Sequence, residues 1–408
     1  MKILVFNAGS SSQKTRLYEV QTSLPSEAPA PLWEASADWS HEAGKTELTI
    51  RRKGAEEHHE TLAFSERPAV LKRIVASLTS GPTRAIEGAE EITAIGHRVV
   101  HGGAHYSEPS LITPELKAAI ERLQVLAPSH NRASLEAIAI AEEAFPQAQQ
   151  IAVFDTAFHR HLPLPAQIYP GPYEWFAQGL RRYGFHGLSH HYSARRAAQL
   201  LGRDLSSLRL ITCHLGNGCS LAAILGGESI ETTMGFTPME GLMMGTRSGS
   251  LDPGLLLYLL RHGGYSPDDL DRILNRESGL LGISGLSGDM RLILQARAEG
   301  NRRARLAFNT FIHRLRLQIG AMLAVLGGVD ALVFTGGIGE HAPEVRAAAC
   351  ETLGFLGLAL DPARNANPGS DADIASPNSA VRVLVIRAEE DWMIAEACWR
   401  LLQQRPLT

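Results

Sequence analysis

Two segments lying about 205 residues apart constrain this chain more than any other feature. Near the start, "ILVFNAGSSSQKTRLYEV" runs apolar, breaks on glycine and serines, then resumes with alternation. In the second half, "RLITCHLGNGCSLAAIL" does the same. Each reads as two strands joined by a tight turn, residues 2–7 and 13–20 in the first copy, with Asn, Gly and Ser in both turns. A duplicated unit suits the length, because 408 residues exceed what one core usually serves and predict two domains.

Composition removes several alternatives. A net charge of −4 implies no field that would draw a polyanion, so nucleic acid is not an expected partner. Four cysteines in so long a chain are no disulfide framework, and Cys213 and Cys219 flank "HLGNG" with the wrong spacing for a zinc knuckle. They read as small, half-buried thiols of a reducing cytosol. The apolar run Ile3–Phe6 is too short for a signal peptide. "AMLAVLGGVDALVF" is interrupted by two glycines and Asp330, so no membrane span is expected and a cytoplasmic location is.

Along the chain, residues 67–80 and 113–126 read as amphipathic helices with Pro near their starts. Residues 92–103 and 148–159 read as buried strands running into a glycine turn and an acid. Residues 302–327 form a long amphipathic helix, 330–346 a strand, glycine turn and helix start, 381–386 a last strand before a C-terminal helix. Prolines 163, 165, 170 and 172 suggest a crossover between domains. Residues 21–62 are polar and weakly patterned. Their Gly44-Lys45-Thr46 is no P-loop, since Trp39 stands where one needs glycine.

Glycine- and serine-rich turns expose backbone N–H groups and let an anion come close. In "NAGSSSQK", Lys14 adds a positive charge. "GTRSGSLDPG" sets Arg247 among small residues and "GHRVVHGG" does so for Arg98, where a guanidinium can reach a phosphoryl group. "FTGGIGE" repeats the strand–glycine theme, but its spacing is not a dinucleotide fingerprint. Asn7, Asp155, Glu389 and Glu390 fall at expected strand ends, where α/β sheets bind ligands, and such hard oxygens suit Mg²⁺. His186, in a glycine-flanked loop beside Arg182, is the histidine best placed to meet a phosphoryl group; His130 and His214 are weaker candidates. No histidine pair has the third ligand a zinc site needs.

Nine segments taken in order, "NAGSSSQK", "GHRVVHGG", "PSHN", "FDTAFH", "RRYGFHGLSH", "HLGNGCSL", "TTMGFTPMEGLMMGTRSG", "SGLLGISGLSGDMR" and "FTGGIGE", span nearly the whole chain. Together they closely resemble the acetate kinase family, within the superfamily of acetate and sugar kinases, heat-shock chaperones and actin. The resemblance implies an α/β fold of two duplicated actin-like, ribonuclease H-like domains. Each has a mixed five-stranded sheet, and the active site lies in the interdomain cleft. It implies residues 1–154 plus 391–408 as one domain and 155–390 as the other, nucleotide-binding and dimerising one, in a homodimer.

It also implies ATP and acetate as substrates, with Mg²⁺ or in its place Mn²⁺. By this resemblance Arg98, Asp155, His186 and Arg247 are catalytic: Arg98 and Arg247 face each other across the transferring group and His186 donates to it. Asn7 and Glu390 hold the metal through waters. Val100, Ser129, Phe185 and Pro238 line the pocket for the methyl group. Ser12, Lys14, His214, Gly216, Asn217 and Gly218 meet nucleotide phosphates, while Asp289, Met290, Arg291, Gly337, Ile338 and Gly339 meet the nucleoside. This chain departs from the family at Ser129, usually leucine, which enlarges and polarises the acyl wall. It departs also at Gln13, Ser250, His341 and Arg387-Ala388-Glu389. A propionate kinase is therefore the alternative expectation. An actin-like or chaperone-like ATPase is more remote, since two arginines facing an acceptor have no use in a nucleotide switch.

Overall fold

The computed structural model describes residues 1–9, 12–38, 44–64 and 66–404; Ser10 and Ser11 of the first turn, and the side chains of Pro128 and Ser129, lie outside it. The chain divides into two compact units, residues 1–157 with 389–408, and residues 158–388.

In the first unit, β1 (Lys2–Ala8), β2 (Ser12–Glu19), β3 (Trp33–Asp38), β4 (Thr46–Arg52), β5 (His58–Leu62), β6 (Ile92–Val99), β7 (Ser110–Leu111) and β8 (Gln149–Phe154) form one sheet. Its order is β5-β4-β3-β2-β1-β6-β8-β7. In the second, β9 (Arg209–Leu215), β10 (Cys219–Leu225), β11 (Glu228–Thr232), β12 (Ala331–Thr335), β13 (Ala372–Asp373) and β14 (Arg382–Val385) run β11-β10-β9-β12-β14-β13.

The repeat is topological. In each unit three antiparallel strands, β3-β2-β1 and β11-β10-β9, are followed by two strands parallel to the first, β6-β8 and β12-β14. The expected five-stranded sheets are these shared parts. The sheets themselves have eight and six strands, because β4, β5 and β7 extend one and β13 the other. The strands β3, β4 and β5 arise from the stretch that looked weakly patterned.

The first sheet is covered on one face, and at β1 and β6 on the other as well. Leu4, Phe6, Leu17 and Trp33 point to one face and pack with Ile74 of helix α1 (Arg67–Thr79) and Ile140 of α2 (Pro128–Ala144). On the other face, the C-terminal helix α6 (Glu390–Gln403) lies so close that a Cβ on Gly96 would sit 2.4 Å from Ile394 Cγ2. Three further helices position the second unit's residues: α3 (Gly187–Leu201), α4 (Arg302–Leu326) and α5 (Gly336–His341). α5 begins directly after β12, with no separate turn between them. The prolines expected at a crossover lie in or beside two short helices, Leu164–Gln167 and Tyr173–Ala177, inside the second unit. No helix among the described residues is long and apolar enough to cross a membrane.

Candidate active site

β1, β6 and β8 are mutually parallel, so their carboxyl ends lie side by side. Asn7, Arg98 and Asp155 stand at those ends, and the first turn of α6 brings Glu390 and Asp391 to them. Arg98 Nε and Nη2 donate to the two carboxylate oxygens of Asp155 at 2.9 and 2.5 Å. Its Nη1 donates to Asn7 Oδ1 at 2.9 Å and reaches Glu390 Oε2 at 3.4 Å. Asn7 Nδ2 in turn donates to Asp391 Oδ1 at 2.7 Å. Burial opposes the charge on Arg98, but Asp155 and Glu390 more than offset it and hold the guanidinium above its ordinary pKa. Of the five N–H groups of an arginine, this fork leaves a hydrogen on Nη2 for a further oxygen.

The arginine is braced from behind. Ser134 Oγ, on α2, donates to the Arg98 carbonyl at 2.9 Å, and Asn131 makes paired bonds with the His101 backbone at 3.2 Å each. Val100 is buried between these anchors. Sequence reasoning named neither Ser134 nor the buried Asp391, which also pairs with Arg16 at 3.2 Å. The run "EED" offers three acids, and only the phase of α6 shows that Asp391 turns inward while Glu389 faces Arg16. Lys14 lies across β1 from Asn7 in register, in a surface groove with Arg16, Glu34, Arg51 and Glu57. Ser12 opens β2 and its backbone carbonyl accepts from Gly9 at 2.9 Å. The Ser129 side chain lies outside the described residues.

The second unit carries its own group. His186 precedes α3 with φ of 56°, a left-handed conformation unusual for a residue with a Cβ and commonest at functional positions. Its ring stacks on that of His214, with centroids 4.2 Å apart, and its Nδ1 bonds Ser220 Oγ at 2.9 Å. His214 Nδ1 bonds Ser189 Oγ at 2.8 Å. Gly218 lies against both side chains: a Cβ there would be 3.3 Å from His186 Nε2 and 3.5 Å from Arg247 Nη1. The same Nη1 donates to the Pro238 carbonyl at 3.0 Å, and Phe185 is buried beside His186. Thus His186, His214, Gly218, Arg247 and Pro238 share one locality. Arg182, beside His186 in sequence, instead spends its guanidinium on the carbonyls of Thr232, Thr233 and Met234 and on Glu240.

The glycine turns join it. Gly216 N donates to Gly218 O at 3.0 Å and Gly245 N to Asn217 O at 3.0 Å. A Cβ on Gly245 would strike Asn217 Oδ1 at 2.2 Å and the Gly288 carbonyl at 2.9 Å, so these loops pack backbone to backbone. Next to Gly288, Asp289 caps the helix Met290–Ala298 and forks onto the Arg291 guanidinium, while Met290 is buried. Gly336, with φ of 77°, rests against the end of β9 and starts α5, which carries Gly337, Ile338 and Gly339. Buried Arg346 holds that helix: its Nη1 donates to the Gly339 and Glu340 carbonyls at 2.8 and 2.9 Å, its Nε to Asn365 Oδ1 at 2.9 Å. Cys219, nearby, is no nucleophile, since burial pushes its thiol up to about 12.

No cluster of three or more His, Cys, Asp or Glu side chains is set to hold a metal among the described residues. The hard oxygens of Asn7 and Glu390 fit a cation that takes one or two protein ligands and completes its shell with waters and phosphate.

Comparison with known proteins agrees with the whole length. The Acetokinase family profile matches residues 2–396. An acetate kinase of Cyanothece sp. is 59% identical over 403 residues, covering 99% of each chain. The crystal structure of Porphyromonas gingivalis acetate kinase superposes with a TM-score of 0.87 at 39% identity, covering 98% of this chain and 99% of that one. A propionate kinase from Francisella tularensis does so with a TM-score of 0.87 at 37% identity and the same coverage.

Proposed function

Because the chain belongs to the acetokinase family, we propose that it transfers the terminal phosphoryl group of ATP to acetate, reversibly, giving acetyl phosphate and ADP. The observation that carries this reading is Arg98, held charged by Asp155 at a strand end, with a hydrogen left for an oxyanion. One acetate oxygen attacks the γ-phosphorus while the bond from that phosphorus to the ADP oxygen breaks. No general base is needed, because a carboxylate is already ionised at neutral pH. The transfer asks for positioning and charge neutralisation. Arg98 binds the acetate carboxylate, Arg247 meets the transferring group, and His186 donates to it. The turn at Gly216–Gly218 and His214 receive the nucleotide phosphates, and the segments at Asp289–Arg291 and Gly337–Gly339 receive the nucleoside. Asn7 and Glu390 would hold a divalent cation, Mg²⁺ or alternatively Mn²⁺, which when bound offsets phosphate charge.

The assembly we favour is a homodimer. In the helix Pro253–His262 no residue is buried, yet Leu255, Leu257, Tyr258 and Leu260 are all exposed there. Such an apolar face is the mark of a partner surface. Reliance on ATP and four free, buried cysteines suits the cytoplasm.

Propionate is the second reading. It is favoured by Ser129 in "PSHN" and by the 37% identity to a propionate kinase of matching fold. One methylene is worth ~1–3 kcal/mol of discrimination, so we expect acetate to remain preferred while propionate is used. The test is a hydroxamate assay with Mg-ATP and acetate, propionate or butyrate, beside Arg98→Ala. Acyl phosphate from acetate, lost in Arg98→Ala, is the expected result. ATP hydrolysis without acyl phosphate from any acid would discard the reading.

A further inference from the structure

Behind His186 runs a line of buried polar groups that the transfer itself does not use. Ser220 Oγ lies 2.9 Å from His186 Nδ1 and 2.7 Å from His190 Nε2. His190 Nδ1 lies 2.7 Å from Thr212 Oγ1. Thr212, His190 and Ser220 are all fully buried. Ser220 is on β10, Thr212 on β9 and His190 one turn into α3, so the line is fixed by three elements.

Its protons can be counted. A single hydroxyl between two ring nitrogens gives its hydrogen to one and receives from the other. The direction follows from the far end. Among the described residues the Thr212 hydroxyl has one hydrogen-bond partner, the His190 ring. If it accepted there, its own O–H would be a buried donor with nothing to meet. If it donates, only a lone pair goes unused, which is the lesser cost. Thr212 therefore donates to His190 Nδ1. Burial, with the rings of His159 and His214 beside it, holds His190 well below the ordinary imidazole pKa, so the ring is neutral and carries its proton on Nε2. That proton goes to Ser220, and the Ser220 hydrogen goes to His186 Nδ1.

From this geometry we infer that Thr212, His190 and Ser220 are positioning residues that lock neutral His186 as the tautomer protonated at Nε2. The Nε2 edge is the one facing Gly218, where Arg247 Nη1 also reaches. His186 then offers a hydrogen bond toward a phosphoryl oxygen without first taking a proton from solvent. The inference rests on the reading of His186 as the phosphoryl donor, and it adds what makes that ring a donor.

The test is the ¹⁵N spectrum of the full-length protein with labelled histidine, in which the two neutral tautomers give distinct nitrogen shifts. The expected result is an Nε2-protonated His186 in the wild type, lost or mixed in Ser220→Ala and in Thr212→Val. Ser220→Ala should lower kcat by roughly 10- to 100-fold with little change in either KM, and Ser220→Thr should restore much of it. An Nδ1-protonated His186 in the wild-type protein overturns the inference whatever the variants do. So does Ser220→Ala with unaltered shifts and kcat. His186→Ala separates the two layers: if it keeps wild-type kcat, the donor role fails even where the tautomer is as inferred.

Discussion

Arg98 is the residue on which the hydrogen bonds of the first unit's strand ends converge. Its position was legible: an arginine one residue from the end of an apolar strand and before two glycines has few uses on a surface. Its partners were only half legible. Asp155 closes a strand and could be named. Asp391 and Ser134 could not, because which face of a helix points inward is decided by packing that the sequence leaves implicit. Replacing Asp155 by Asn nearly keeps the size but removes the carboxylate onto which Arg98 forks. We expect kcat to fall by about 10²- to 10³-fold and KM for acetate to rise, measured by steady-state kinetics. Unchanged values would show that Arg98 needs no carboxylate to hold it. In the second unit, His186 was legible from its glycine neighbours, but Ser220 and His190 were not. A serine in a strand and a histidine four residues along a helix look like ordinary interior residues until a contact joins them.

Among the elements, β3 to β5 went unread. In β3 the buried positions are Trp33, Ala35 and Ala37, and in β4 Thr46, Leu48 and Ile50. The period of two is present, but alanine and threonine fill half of its buried positions with little hydropathy, so the signal sinks among Glu, Ser and Arg on the outer face. The long helix α4 and the C-terminal helix α6 were readable because large side chains mark the buried stripe. A different element, α5, invites a test. Arg346 is fully buried, and desolvation, only partly offset by Glu344, pulls its guanidinium down to about 10. It ties the end of α5 to Asn365 through neutral acceptors only. Arg346→Met would leave those acceptors bare and cost about 2–4 kcal/mol, read by urea unfolding. We expect KM for ATP to rise more than KM for acetate, since α5 carries the turn assigned to the nucleoside. An equal effect on both would detach α5 from nucleotide binding.

For the molecule as a whole, acid should loosen both units. Burial pushes His97 in the first unit and His159 in the second down to about 4. The unfolded chain binds a proton at each near pH 6.5 while the folded one does not. The stability they contribute is therefore complete above pH 6.5 and declines as the pH falls toward about 4, by about 1.4 kcal/mol per pH unit for each ring. Urea midpoints measured from pH 7.5 to 5 should fall on that slope, and His97→Gln should flatten it for the first unit's transition. A slope untouched by that change would mean the His97 ring is not held neutral. At the same scale, Leu257→Asp together with Tyr258→Asp should give a monomer by sedimentation if the helix Pro253–His262 is the partner surface. An unaltered mass would place the interface elsewhere. The course of the chain itself has a consequence during synthesis. Domains tend to fold as they leave the ribosome, the N-terminal one first. Here the first unit leaves early yet lacks α6, which covers one face of its sheet at Gly96 and supplies Glu390 and Asp391 to Arg98. Those residues are translated only after the entire second unit. A nascent chain thus holds this part of its first sheet open until α6 has been made. A chain cut short before α6 would lack Glu390 and Asp391 and leave the sheet face at Gly96 uncovered.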